Sequence, residues 1–146
     1  MKPAARSLLS LLVPLALAGC ANDSASYVID GNRDHAITLT RSQKWFWEDK
    51  FIVQVLAARR PDCMGGLEIQ DVPGSKPIVL HQAPDEYPEP IYIMEAGGSD
   101  YAISTESCRV QKFATPPSDL GPVIGSFETV DGAFQFVEKK SPSAGS

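Results

Sequence analysis

The sequence is poor in the side chains that catalysis and metal binding draw on, with only two histidines, His35 and His81, and three cysteines, Cys20, Cys63 and Cys108. Neither histidine sits in an HExxH arrangement, and the chain has no GxSxG elbow and no phosphate-binding glycine loop. A Ser/His/Asp set is spatial rather than sequential, so the missing motif lowers the expectation of an enzyme without abolishing it. The expectation is a non-enzymatic protein with no cofactor and no metal. Cations are scarce as well, and the only adjacent basic pairs are Arg59-Arg60 and Lys139-Lys140. Affinity for phosphate backbones comes from clustered cations, so nucleic acid is not an expected partner. Long apolar runs are also missing. The N-terminal run from Leu8 to Ala18 is broken by Ser10 and Pro14, and as a helix it would cover roughly 16 Å of a roughly 30 Å hydrocarbon core.

What the N-terminal region does have is a basic start (Lys2, Arg6), that short apolar run, and then Leu17-Ala18-Gly19-Cys20. The pattern suits an export signal over 1–19. Leu17-Ala18-Gly19-Cys20 resembles the lipobox of bacterial lipoproteins, in which small residues fit the processing peptidase and the cysteine thiol receives a diacylglycerol. The resemblance implies a lipid on Cys20 and a membrane as partner through that lipid. Ala21, rather than Asp, in the next position is similar to the pattern sent to the outer membrane in enteric bacteria. The expected location is therefore the periplasmic face of the outer membrane, with the inner membrane as the alternative.

Two of the 13 basic residues, Lys2 and Arg6, lie in the leader, whereas all 18 acidic ones lie beyond it, so the remainder is more acidic than the formal −5 of the whole chain. Once Cys20 is assigned to lipid, Cys63 and Cys108 are an even pair in an oxidising compartment, and one disulfide is expected between them; two buried thiols are the alternative. The small and polar stretch over 20–26 reads as a tether, and Ser141-Pro142-Ser143-Ala144-Gly145-Ser146 as a disordered tail. Residues 27–140 are left as a single domain.

Within it, apolar residues recur with period two, as in Ile37-Thr38-Leu39, Ile91-Tyr92-Ile93 and Phe134-Gln135-Phe136. Short strands are expected at 27–30, 36–41, 67–70, 78–81, 91–95, 101–105, 109–113, 126–130 and 134–138. Turn residues fall between them at Asp30-Gly31, Gly65-Gly66, Pro73-Gly74, Gly97-Gly98 and Asp131-Gly132. No βαβ alternation and no internal repeat emerges. The fold class is mainly β, an antiparallel small sandwich or barrel. The ambiguous segment is 41–60. Thr40 with Gln43 resembles a capping box and Pro61 would stop a helix, so a single helix around 41–58 is permitted. A helical projection nonetheless scatters the apolar residues around the whole circumference. One long bent strand, or two strands, is preferred, with Trp45, Trp47, Phe51, Val53, Val55 and Ala57 on one side.

Two stretches stand out as partner-binding candidates. Trp45-Phe46-Trp47 is the densest aromatic patch, and aromatic residues at a surface are typical interface anchors; burial under a second sheet is the competing reading. Ala83-Pro84-Asp85-Glu86-Tyr87-Pro88-Glu89-Pro90 has three prolines and three carboxylates, the composition of an extended, solvated loop with little entropy to lose on docking. Asp85, Glu86, Tyr87 and Glu89 are its candidate contacts, and a rigid connector is the competing reading. Asp34-His35 with His81 would supply metal ligands only if their strands were neighbours. The expected function is a membrane-anchored periplasmic lipoprotein that binds a protein partner or serves envelope assembly. A carrier of a small ligand or metal is one alternative. A lysozyme inhibitor is another, since Gly97-Gly98-Ser99-Asp100-Tyr101 resembles the small-residue loop of that inhibitor family.

Overall fold

A computed structural model of the chain describes residues 22–140. The signal over 1–19, Cys20 and the tail at 141–146 lie outside the described residues. Ten strands and no helix make up the described chain. They are β1 (Asp23–Ile29), β2 (Asn32–Ser42), β3 (Lys50–Arg59), β4 (Cys63–Pro73), β5 (Ile78–Gln82), β6 (Tyr92–Ala96), β7 (Ser99–Ile103), β8 (Val110–Lys112), β9 (Val123–Val130) and β10 (Ala133–Glu138). All pairings are antiparallel, in a four-stranded sheet of order β1-β2-β3-β4 and a six-stranded sheet of order β10-β9-β5-β6-β7-β8. Of the expected small sandwich or barrel, the sandwich is what forms.

Period-two alternation sets the core. Ile37 and Leu39 of β2, Val53, Val55 and Ala57 of β3, Leu80 of β5, Met94 of β6 and Phe127 of β9 meet between the sheets, each essentially without exposure. Three hairpins turn on pairs of left-handed residues, Asp30-Gly31, Gly97-Gly98 and Asp131-Gly132, as their composition predicts. At one lateral edge Tyr27 of β1 packs on Phe136 of β10, with ring centroids 4.8 Å apart. At the other, the disulfide between Cys63 and Cys108, with Cα atoms 5.9 Å apart, ties the start of β4 to the segment before β8. On each side an edge strand of one sheet is thereby joined to the edge region of the other.

The strands define two poles. The near pole holds Asp23, the β2–β3 loop at 43–49 and the β4–β5 connection at 74–77. The far pole holds the Asp30-Gly31 turn, the disulfide and the proline loop at 83–91.

Three expectations are corrected by the fold. No helix forms around 41–58, which divides into the end of β2, a loop and β3; Phe51, Val53, Val55 and Ala57 do share the inward face, but Trp45 and Trp47 are off the strand and exposed. Gly65-Gly66 is no turn but lies within β4, opposite Ala57 and Leu56. A Cβ on Gly65 would strike the Cys108 carbonyl, and one on Gly66 the Val55 carbonyl, so here glycine permits close backbone approach rather than chain reversal. The reading of 20–26 as tether fails from Asp23 onward. β1 begins there because Ala25 is buried inward while Ser26 hydrogen-bonds Thr38 through their hydroxyls at 2.7 Å.

Candidate functional site

At the near pole, β2 delivers a buried cation. Arg41 occupies the same phase as Ile37 and Leu39 and so points inward, where it is 7% exposed. Its guanidinium donates to both Asp23 carboxylate oxygens, at 3.2 and 2.8 Å. It also stacks over Phe134 at 4.0 Å and Phe51 at 4.5 Å. Below it a cleft of about 410 Å³ opens between the sheets, floored by Phe127 and bordered by the 74–77 connection. Arg41 was not among the residues singled out from the sequence, although its phase in Ile37-Thr38-Leu39-Thr40-Arg41 marks it as inward and hence in need of a carboxylate.

Immediately beyond β2, Trp45, Phe46 and Trp47 are 50, 80 and 65% exposed. The loop that carries them is held in shape. Gln43 donates from its side chain to the Glu48 carbonyl, the Glu48 N–H donates to the Trp45 carbonyl at 3.1 Å, and the Gly74 N–H donates to the Asp49 carbonyl at 2.7 Å. The rings pack on each other instead of on the core. Trp45 and Trp47 are stacked with centroids 5.2 Å apart, and Phe46 stands edge-on to Trp47 at 4.8 Å. An ordered loop thus presents an apolar cluster outward, where burial would ordinarily stabilise each ring by roughly 1.5–3 kcal/mol.

The far pole carries the proline loop. Asp85 and Glu86 are exposed, whereas Glu89 accepts a hydrogen bond from the Ser107 hydroxyl at 2.8 Å. Tyr87 leans toward Phe113, with centroids 6.3 Å apart, and together with Leu120 these rings cover a second small core of Ala83, Ile91, Ile93 and Ala102 on the outer face of the six-stranded sheet. Burial, followed by the Glu86 and Asp119 carboxylates, raises the Tyr87 phenol above its ordinary pKa. Between loop and sheet runs a groove of about 450 Å³ bounded by Tyr87, Pro88, Glu89, Arg109, Gln111 and Phe113. Phe113, Arg109 and Gln111 were not anticipated as site residues, because only the fold brings the β8 region beside the proline loop. The two candidate surfaces read from the sequence therefore lie at opposite poles.

The histidines do not converge. His35 faces the interior at the far pole, where its Nε2 is 2.7 Å from the Thr105 hydroxyl and its Nδ1 is 4.0 Å from an Asp30 carboxylate oxygen. Thr105 is only 5% exposed and the Asp30 distance exceeds a hydrogen bond, so this Asp-His-Thr set braces the sheets rather than offering a nucleophile. Nearby, burial and then Tyr27 push the Tyr92 phenol up to about 12. His81 lies on the outer face of the six-stranded sheet, donating from Nδ1 to the Gly121 carbonyl at 2.9 Å and meeting Glu95 through Nε2 at 2.7 Å. Desolvation, then the Glu95 carboxylate, raises Asp100 above its ordinary pKa, with His81 opposing. Among the described residues no group of three or more His, Cys, Asp or Glu side chains is placed to hold a metal ion. Gly97 and Gly98 are simply the β6–β7 turn, and Tyr101 points into the core.

No protein-family model, curated protein or solved structure matches this chain. Among the described residues no helix is long and apolar enough to cross a membrane.

Proposed function

We propose that this protein is a lipid-anchored, non-enzymatic binding module of the bacterial envelope. It is attached through Cys20 to the periplasmic face of a membrane, the outer one by the residue that follows, and takes a protein partner at its far pole. The observation that carries the reading is the groove lined by Tyr87, Ile91 and Phe113 and bordered by Glu89 and Arg109, beside the proline loop that also exposes the Asp85 and Glu86 carboxylates. It sits at the pole away from the N-terminal end of β1, the side a tethered domain turns toward the periplasm. The proline loop that forms one wall holds its shape before docking, so little conformational entropy is lost on binding. The chemistry fits an extended segment with an apolar side chain for the groove and a cation for the neighbouring carboxylates of the proline loop.

Further support is that both histidines are already engaged, His35 by Thr105 and His81 by Gly121 and Glu95. The test is photo-crosslinking in intact cells from position 111 in the groove and, as control, from exposed Gln135 on β10. A discrete partner captured from 111, absent from 135 and lost in D85S/E86S/F113S, is the expected result. Equal patterns from both positions would remove the reading.

A further inference from the structure

We propose that the Trp45-Phe46-Trp47 loop is a second membrane anchor, seated at headgroup depth in the same bilayer that receives the Cys20 lipid. The inference rests on the lipid attachment proposed above, and three observations carry it. The first is placement. Asp23 pairs with Arg41 in the β1–β2 ladder, and β2 ends one residue later at Ser42, so the aromatic loop leaves the fold beside the point where the chain enters it. Cys20 precedes Asp23 by three residues, which span at most about 10 Å. A lipid there brings the near pole, and with it this loop, against the bilayer.

The second is the chemistry of the tip. Tryptophan combines an apolar body with an N–H donor, the combination that settles at the membrane–water interface rather than in hydrocarbon. Trp45, Phe46 and Trp47 are at least half exposed and mutually stacked, forming one wedge on a loop braced by its own backbone hydrogen bonds. The third is charge. Lys44 and, at the start of β3, Lys50 beside the rings are matched by Glu48 and Asp49, so the tip and its flanks carry no net charge in a chain of formal charge −5. A neutral amphipathic tip approaches a headgroup layer without the repulsion the acidic proline loop at 83–91 would meet. Lipid alone leaves a domain free to swivel. An inserted wedge beside it fixes the axis of the sandwich and turns the Tyr87–Phe113 groove away from the membrane, the two-signal logic of stable peripheral anchoring.

Trp45 and Trp47 are the only tryptophans in the chain, so intrinsic emission reports this loop alone. The full chain, expressed with its leader and purified with its lipid, is reconstituted into vesicles of phosphatidylethanolamine and phosphatidylglycerol. The expected result is emission shifted to the blue, shielded from acrylamide, and quenched more by bromines near the glycerol than by bromines at the acyl chain ends. Phe46→Ser should weaken that quenching, whereas D85S/E86S should leave it unchanged. Water-like, acrylamide-accessible emission from protein that floats with the vesicles would overturn the inference and leave the anchoring intact. Failure to float, with Cys20 unmodified by mass, would overturn both. Shielding seen only in native envelope membranes and not in protein-free vesicles would assign the rings to a protein and refute the bilayer as their occupant.

Discussion

The pair formed by Asp23 and Arg41 decides whether the chain is folded from its third residue past Cys20 onward. Asp23→Ala leaves the guanidinium of Arg41, a residue only 7% exposed, without its carboxylate. Removing one member of a fully buried pair costs about 3–5 kcal/mol. The Asp23 side chain, however, is 33% exposed, so water replaces part of the lost partner, and we expect about 2 kcal/mol. Arg41→Ala also removes two cation–π contacts, at roughly 0.5–1 kcal/mol each, and the packing of the aliphatic stem, for a total of about 3–4 kcal/mol. The two losses should not add, and a double-mutant cycle should give a coupling of roughly 1–2 kcal/mol. Arg41→Met on the Asp23→Ala background should recover much of the stability, since an apolar chain still fills the space between Phe51 and Phe134 with no charge to compensate. Urea unfolding followed by circular dichroism measures all four variants. If Asp23→Ala costs less than about 0.5 kcal/mol, the surface value, β1 is not held at its start and the reading of 20–26 as a loose tether is restored.

Replacing Cys63 and Cys108 together by serine, which frees a loop with a sequence separation of 45 residues, should lower stability by roughly 4 kcal/mol in urea unfolding. Phe46→Ser, at a side chain 80% exposed, should change stability by less than about 0.5 kcal/mol; a loss above about 2 kcal/mol would mean that the ring belongs to the core. Asp100→Asn should raise the melting temperature near neutral pH and not below the ordinary carboxylate pKa. Burial and Glu95 raise the folded pKa of Asp100, so the wild type loses stability as pH rises through that value while the asparagine variant does not. A melting-temperature difference that fails to grow between pH 4 and 7 would refute this assignment.

The strand pattern was legible because each sheet buries one face, and a one-sided burial imposes period two on the chain. The shared phase of Ile37 with Leu39 and of Val53 with Val55 was readable without a structure, and so were the Asp30-Gly31, Gly97-Gly98 and Asp131-Gly132 turns, since positive φ leaves few residue types to choose from. Turn composition misled at Gly65-Gly66, because glycine also serves where backbones pass close, and only the neighbouring strand and Cys108 reveal which demand applies. At 41–60 the local helix signals lost to the pairing of β3 on both sides, a non-local ladder that no short window contains.

The candidate sites divide along the same line. Sequence alone identified Trp45, Phe46 and Trp47 and the acidic proline loop as unusual, because aromatic density and proline content are local properties. Tertiary structure decided that the aromatic rings stand outside the core, that the two stretches occupy opposite poles, that Arg41 closes one mouth of the sandwich on Asp23, and that Tyr87 meets Phe113 beside a groove. Those are relations between residues far apart in the chain. They exist only once strand order and register have been fixed by the burial of a core to which all ten strands contribute, directly or through their neighbours.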